Sequence, residues 1–170
     1  MKKIIKKSKK EVSVKKSKKE IIVAVSGGFD PIHIGHVRMF NEAKALGDRL
    51  VVILNNDNWI NKKKVSAFMP EYERKEVIEA LASVDEVMLT SHSENSDDMS
   101  VCEALNKLRP HIFANGGDRT VQDSKNVSSS LSPEAILCEK LGIKMVFGIG
   151  RGGKVQSSSW LLKKYKEKNG

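Results

Sequence analysis

Five short apolar runs constrain the fold of this chain more than any other feature. They are IIVAV (21–25), LVVIL (50–54), EVMLT (86–90), HIFAN (111–115) and KMVFGI (144–149). A strand with one wet face alternates apolar and polar residues. A strand that is apolar throughout is covered on both faces, as in parallel sheets whose crossovers are helices. The intervening stretches have helical spacing. Val37, Phe40, Ala43 and Leu46 recur before Gly47, which is expected as a C-cap glycine. The segment 70–84 predicts a helix that opens on Pro70 and early acids and buries Val77, Ile78 and Leu81. Val101, Leu105 and Leu108 predict another, stopped by Pro110. Ser132-Pro133-Glu134 reads as cap, first-turn proline and acid of a helix ending at Gly142. A final helix covers 157–168, with lysines toward its end.

The alternation predicts an α/β, Rossmann-like fold: a parallel five-stranded sheet with helices on both faces. At 170 residues the chain suits one domain with a real core. Its formal charge of +9 is not spread over that domain. Residues 1–19 hold ten lysines and a single acid, Glu11, so the remainder is formally neutral. Residues 1–20 are therefore expected to be a disordered Lys-rich tail, able to contact polyanions or only to aid solubility, and 21–170 the folded domain. IIVAV is too short for a secretory signal, and no run approaches a membrane span. Cys102 and Cys138 form no CxxC and read as reduced core thiols of a cytoplasmic protein.

Parallel sheets bind ligands beyond the carboxyl ends of their strands, at the switch in strand order. After the first run come Gly27, Gly28, Phe29, Asp30, His33, Gly35 and His36; after the second, Asn55, Asn56, Asp57 and the loop lysines Lys62, Lys63 and Lys64. After the fourth come Gly116, Gly117, Asp118 and Arg119; after the fifth, Arg151, Lys154, Ser157, Ser158 and Ser159. Ser91, His92 and Ser93 follow the third with no evident purpose. Glycines that admit backbone N–H groups, helix N-termini and cations together describe a polyphosphate site. The stretch SGGFDPIHIGH is neither GxGxxG nor a phosphate loop ending in GK[ST]. His33 and His36 lack a third ligand at metal spacing, so no direct protein cage for a metal is expected. Their alternatives are a structural pair or two donors to phosphate oxygens.

These residues carry a resemblance. GGFDPIHIGHVRMF resembles the first motif of the cytidylyltransferase-like nucleotidyltransferases, G-x-F-D-x-x-H-x-G-H leading into a helix. NNDNWINKKK…PEYERKEVIEALASVDEV is similar to their second strand, loop lysine and arginine-bearing helix; FANGGD and SSSWLL are similar to later motifs, and the likeness covers roughly 21–165. The resemblance implies transfer of a nucleotidyl group from ATP or CTP, with Mg²⁺, to a sugar, polyol or alcohol phosphate, releasing pyrophosphate. It implies that His33 and His36 stabilise the α-phosphorus and the leaving pyrophosphate, with one of Lys62, Lys63 and Lys64 on the phosphates. Gly27, Gly28, Phe29, Asp30, Gly35, Arg74, Gly117, Asp118 and the serines 157–159 would bind nucleotide. Arg119, Arg151 and Lys154 would face the acceptor.

The Asn-Gly-Gly-Asp run leans toward heptose-1-phosphate adenylyltransferases within the family. The spacing from Arg151 to the serines departs from the glycerol-phosphate cytidylyltransferase pattern, which leaves the base open. The long polar segment 118–135 is expected to be a loop that closes over the acceptor. Flavin or nicotinamide mononucleotide adenylyltransferases share the motif. A non-catalytic nucleotide- or RNA-binding module is the alternative of another class. The HIGH tetrapeptide also occurs in class I aminoacyl-tRNA synthetases, for which this chain is too short. A homodimer is compatible with the family.

Overall fold

The structure is a computed structural model that describes residues 19–64, 66–117, 119–150 and 157–169. Its strands are β1 (Ile22–Gly27), β2 (Arg49–Leu54), β3 (Glu86–Leu89), β4 (Ile112–Gly116) and β5 (Lys144–Ile149). Its helices are α1 (Ile34–Lys44), α2 (Asp57–Lys63), α3 (Glu71–Glu79), α4 (Cys102–Leu108), α5 (Val121–Lys125), α6 (Ser132–Leu141) and α7 (Ser158–Asn169). All strand pairs are parallel, in the order β3-β2-β1-β4-β5. This is the α/β, Rossmann-like sheet that the five apolar runs predict.

Strand periodicity decides which helix each side chain meets. Val23, Val25, Leu50, Val52 and Leu54 pack on one face with Phe40 and Ala43 of α1 and Ile78 of α3. Ala24, Ile53 and Phe113 pack on the other with Ala104 and Leu105 of α4 and Cys138 of α6. Both faces are covered, which is why no strand alternates. The chain winds outward from β1 to β3, then returns to lay β4 on the other side of β1. The β1–β4 ladder runs through Val23–Ile112 and Ala24–Phe113, whereas β1 and β2 stay in register through Gly27–Leu54. The carboxyl ends of β1 and β4 thus part, and the crevice opens there.

Several local expectations are corrected. Residues 57–63 form α2 rather than a loop, because Asn56 caps it, its side chain accepting from Trp59 N at 3.1 Å. The polar segment 118–135 contains α5, started by Thr120, whose backbone N donates to Asp123 at 2.7 Å. Gly47 is not a helix cap: α1 closes at Ala45, and a Cβ on Gly47 would lie 2.6 Å from the Ile21 carbonyl oxygen. Val77 is exposed, while Ile78 is fully buried. Gly142 does take the left-handed C-cap position, at φ 68°. Cys138 is buried and Cys102 half-buried, both free; burial first, then the neighbouring Cys102 and Glu134, pushes the Cys138 thiol up to about 12. Among the described residues no helix is long and apolar enough to cross a membrane. The tail expected over 1–20 lies outside the described residues except for Lys19 and Glu20.

Candidate active site

The turn between β1 and α1 is built around Phe29. Its φ is 49°, a left-handed conformation that side chains rarely adopt, and its ring is buried. The ring meets Phe40 edge-on at 5.0 Å and His36 edge-on at 4.9 Å between centroids. A Cβ on Gly27 would stand 2.8 Å from that ring, and one on Gly28 would stand 2.5 Å from Ile60 Cδ1. These two glycines therefore admit neighbouring side chains. Gly28 also lines the cavity that holds the histidines, and both glycines line the larger cavity beside it. Gly117, at φ 71° with open space where its Cβ would be, is the glycine that fits a ligand-facing role. Gly35 lies in the first turn of α1 and lines the histidine cavity.

His33 and His36 stack, with centroids 3.6 Å apart and planes 20° from parallel. The backbone N–H of His33 donates to Nδ1 of His36 at 3.3 Å. That bond leaves the His36 proton on Nε2. Burial, then the charges of His33 and Lys64, lower the His36 pKa to about 3, so the ring is neutral at physiological pH. Burial also lowers the His33 pKa, and its buried Nδ1 has no hydrogen-bond partner among the described residues.

The three lysines separate. Lys62 donates to Ser96 O at 2.6 Å, away from the histidines. Lys63 lies 4.7 Å over the Trp59 ring. Lys64 ends α2, donates to Asp30 O at 2.8 Å and lines the histidine cavity. Asp30, almost fully buried, accepts from Phe68 N at 2.9 Å and Met69 N at 2.8 Å, with Lys64 Nζ 3.5 Å away. It ties the segment after α2 down beside the turn.

Arg74 is corrected from nucleotide ligand to internal clamp. Its side chain is fully buried. It donates to Met69 O at 3.0 Å, Gly28 O at 2.7 Å, Asn55 O at 2.8 Å and the Asp57 carboxylate at 2.6 Å. Four of its five N–H groups are engaged inside the fold, and the carboxyl ends of β1 and β2 are held together.

A cavity of about 290 Å³ joins these parts, lined by Asp30, His33, Gly35, His36, Lys64, Gly117 and the serines 157–159. Ser157 caps α7, accepting from Trp160 N at 3.1 Å, and Ser158 Oγ donates to Pro31 O at 2.9 Å. The N-termini of α1 and α7, neither with an acid in its first turn, thus meet at one place. Helix N-termini carry unsatisfied N–H groups and partial positive charge, so the arrangement suits a polyanion. A larger neighbouring cavity, about 490 Å³, runs along the crevice past Trp59, Asn55, Asn115, Arg119 and Glu134. Arg119 bonds Ser130 Oγ at 2.9 Å on its wall. Asp118, Arg151 and Lys154 lie outside the described residues.

The signature of the cytidylyltransferase-like proteins matches residues 24–167, nearly the whole fold just described. The chain belongs to the cytidylyltransferase-like family. An FAD synthase from Ferroglobus placidus is 41% identical over 97 residues, which is 57% of this chain and 59% of that protein. An FAD synthase from Thermococcus sibiricus is 34% identical over 128 residues, 75% of this chain and 82% of that one. The bifunctional protein HldE of Koribacter versatilis is 34% identical over 102 residues, 59% of this chain but 20% of that protein. The chain thus spans about three fifths of the first relative's length and a fifth of HldE. Among solved structures, a lipopolysaccharide core biosynthesis protein from Thermoplasma volcanium superposes with TM-score 0.59 at 27% identity, covering 78% of this chain and 98% of that one.

In this cytidylyltransferase-like chain, some wall residues escape sequence reasoning. Trp59 lines both cavities, hidden by the reading of α2 as a loop. Glu134 read only as a first-turn acid; it is 6% exposed and its Oε1 accepts from Val101 N at 3.1 Å. Only its place beside a proline at a helix start was legible.

Proposed function

We propose that this chain transfers a nucleotidyl group from a nucleoside triphosphate to a phosphate monoester, with release of pyrophosphate. The observation that carries the reading is the convergence of two helix N-termini, the stacked histidines and Lys64 on one cavity. The triphosphate enters with its magnesium as substrate; among the described residues no group of three or more His, Cys, Asp or Glu could hold a metal ion. That ion would supply charge neutralisation on the phosphates.

An acceptor phosphate oxygen attacks the α-phosphorus and forms the new P–O bond. The bond from the α-phosphorus to its bridging oxygen breaks, and the electron pair leaves on pyrophosphate. No covalent enzyme intermediate is required, so positioning and charge supply the rate. His36, held neutral, donates its Nε2–H to a phosphate oxygen. His33 offers a second ring to the same group. Lys64, anchored by Asp30, neutralises charge developing on the phosphates, a role that the positions of Lys62 and Lys63 do not favour. Ser157 and Ser158 have their hydroxyls engaged. The first-turn N–H groups of α7 and the Ser159 hydroxyl are what remain for the β- and γ-phosphates.

The FAD synthase relatives support ATP as donor and a flavin phosphate as the first acceptor to try; the HldE relative supports keeping sugar phosphates beside it. The test is pyrophosphate release with ATP or CTP and Mg²⁺, against flavin mononucleotide, sugar 1-phosphates, glycerol 3-phosphate and ethanolamine phosphate. Release with one pair is expected to fix base and acceptor together. ATP and CTP both failing to bind would refute the site. The lysines of 1–19 are expected to act outside catalysis: deleting them should leave turnover unchanged and weaken retention on heparin.

A further inference from the structure

The larger cavity contains two polar groups that the fold itself does not satisfy. Asn55, at the carboxyl end of β2, is 3% exposed, and its Oδ1 has no hydrogen-bond partner among the described residues. Glu134, in the first turn of α6, is 6% exposed; Val101 N occupies Oε1, and Oε2 has no partner among the described residues. Both residues line the same cavity, from opposite sides of the crevice. Of the other buried groups at this edge, Asp30 and Arg74 are paired, and His33 Nδ1, also without a partner among the described residues, belongs to the histidine cavity. A buried oxygen without a partner costs about 1–3 kcal/mol. Two of them in one cavity mark a place where a ligand supplies donors.

Three features narrow that ligand. Two unpartnered oxygens require at least two donors, set apart along the cavity. The cavity is about 490 Å³ and adjoins the histidine cavity through Phe29, His36 and Trp59, room for an acceptor larger than a two-carbon alcohol. Burial raises the Glu134 pKa, so this carboxyl is less readily ionised than an exposed one, and a neutral hydroxyl is its better partner.

We propose that Asn55 and Glu134 determine acceptor specificity by taking hydrogen bonds from hydroxyls of a polyhydroxylated phosphate, a sugar or the ribityl chain of a flavin phosphate. The inference rests on the nucleotidyl-transfer reading and adds the chemical class of acceptor.

The test uses the full chain with ATP and Mg²⁺. Acceptors are flavin mononucleotide, glucose 1-phosphate and its 2-deoxy analogue, and ethanolamine phosphate. Either of the first two is expected to exceed ethanolamine phosphate in kcat/KM by about 30-fold or more, and which one does so identifies the source of the hydroxyls. If the sugar is used, its deoxy analogue is expected to lose about tenfold, a ligand-side deletion that cannot unfold the protein. Glu134→Gln, which keeps an oxygen for Val101 N, and Asn55→Leu are each expected to raise acceptor KM about tenfold with kcat within about threefold. ATP binding by calorimetry should stay within about twofold of the original chain, and the melting temperature should hold or rise in Asn55→Leu. Ethanolamine phosphate performing as well as the others overturns the proposal. So do unchanged KM values with lowered melting temperatures in both variants, the mark of a purely structural pair. A chain that binds ATP yet neither polyhydroxylated phosphate overturns the proposal alone. A chain that binds no nucleotide overturns the nucleotidyl-transfer reading with it.

Discussion

Asp30 and Glu134 are both carboxylates buried at the carboxyl edge of the same sheet, one on each side of the crevice. Asp30 accepts from two backbone N–H groups and faces Lys64. Glu134 uses one oxygen on Val101 N and leaves the other without a partner among the described residues. The same contrast holds for their neighbours: the Arg74 guanidinium is spent on four internal acceptors, while the Asn55 side-chain oxygen has no partner among those residues. The Asp30 and Arg74 arrangement is finished before any ligand arrives, and the Asn55 and Glu134 pair, which faces the cavity from both sides, waits for one. Preorganised charge is what group transfer needs, because donors already in place need no reorganisation during reaction. Unfinished hydrogen bonding is what selection needs, because only the right ligand completes it.

The sharpest way to break this contrast is to remove the clamp of the finished arrangement. Arg74→Ala strands two strand-end carbonyls and the Asp57 carboxylate, and should destabilise the fold by about 3–5 kcal/mol in urea titration. A loss below about 1 kcal/mol would mean the clamp is dispensable. Next come the groups aimed at the substrate. His36→Ala and Lys64→Ala should each lower turnover by two to three orders of magnitude, roughly 3–4 kcal/mol, with little change in melting temperature. Lys62→Ala and Lys63→Ala should stay within about threefold, and an equal loss from all three lysines would contradict the assignment to Lys64.

A smaller effect concerns the floor between the two sides. A Cβ on Gly116 would lie 2.8 Å from the Ile149 carbonyl oxygen and 2.6 Å from Met39 Sδ. Gly116→Ala should therefore cost about 1–3 kcal/mol by overpacking. Gly117→Ala has room but a positive φ, and should cost about 1 kcal/mol through backbone strain. Calorimetric unfolding of both variants orders them.

A comparable effect is on pH dependence. His36 titrates near 3 in the fold against 6.5 in the unfolded chain. Between those values the unfolded chain binds a proton that the folded chain refuses, so stability is full above about 6.5 and falls as pH drops below it. Urea midpoints at pH 7, 6 and 5 should decline less steeply in His36→Ala than in the original chain; parallel declines would show that His36 is ordinary.

Much of this was legible in the sequence because it follows from burial alone. Five apolar runs without alternation announced five strands covered on both faces, and their carboxyl ends located the crevice. The histidine pair was visible because its spacing and helix-start context coincide. What stayed hidden depends on tertiary pairing. Arg74 on a charged helix gave no sign that its guanidinium turns inward to strand-end carbonyls. Gly27 and Gly28 were read for phosphate, yet the space they leave is filled by Phe29 and Ile60, a contact between residues far apart in the chain for Gly28. Three adjacent lysines were indistinguishable until a capped helix sent Lys62 to Ser96 O, laid Lys63 over Trp59 and left Lys64 beside Asp30.

The most direct test of the central claim follows phosphorus itself. The full chain is given its best acceptor with ATP labelled either at the α- or at the γ-phosphate, and products are separated. The account expects the α-label in the product and the γ-label in pyrophosphate. A γ-label on the acceptor would make this a kinase-type transfer, and the arrangement of His33, His36 and Lys64 would need a different explanation.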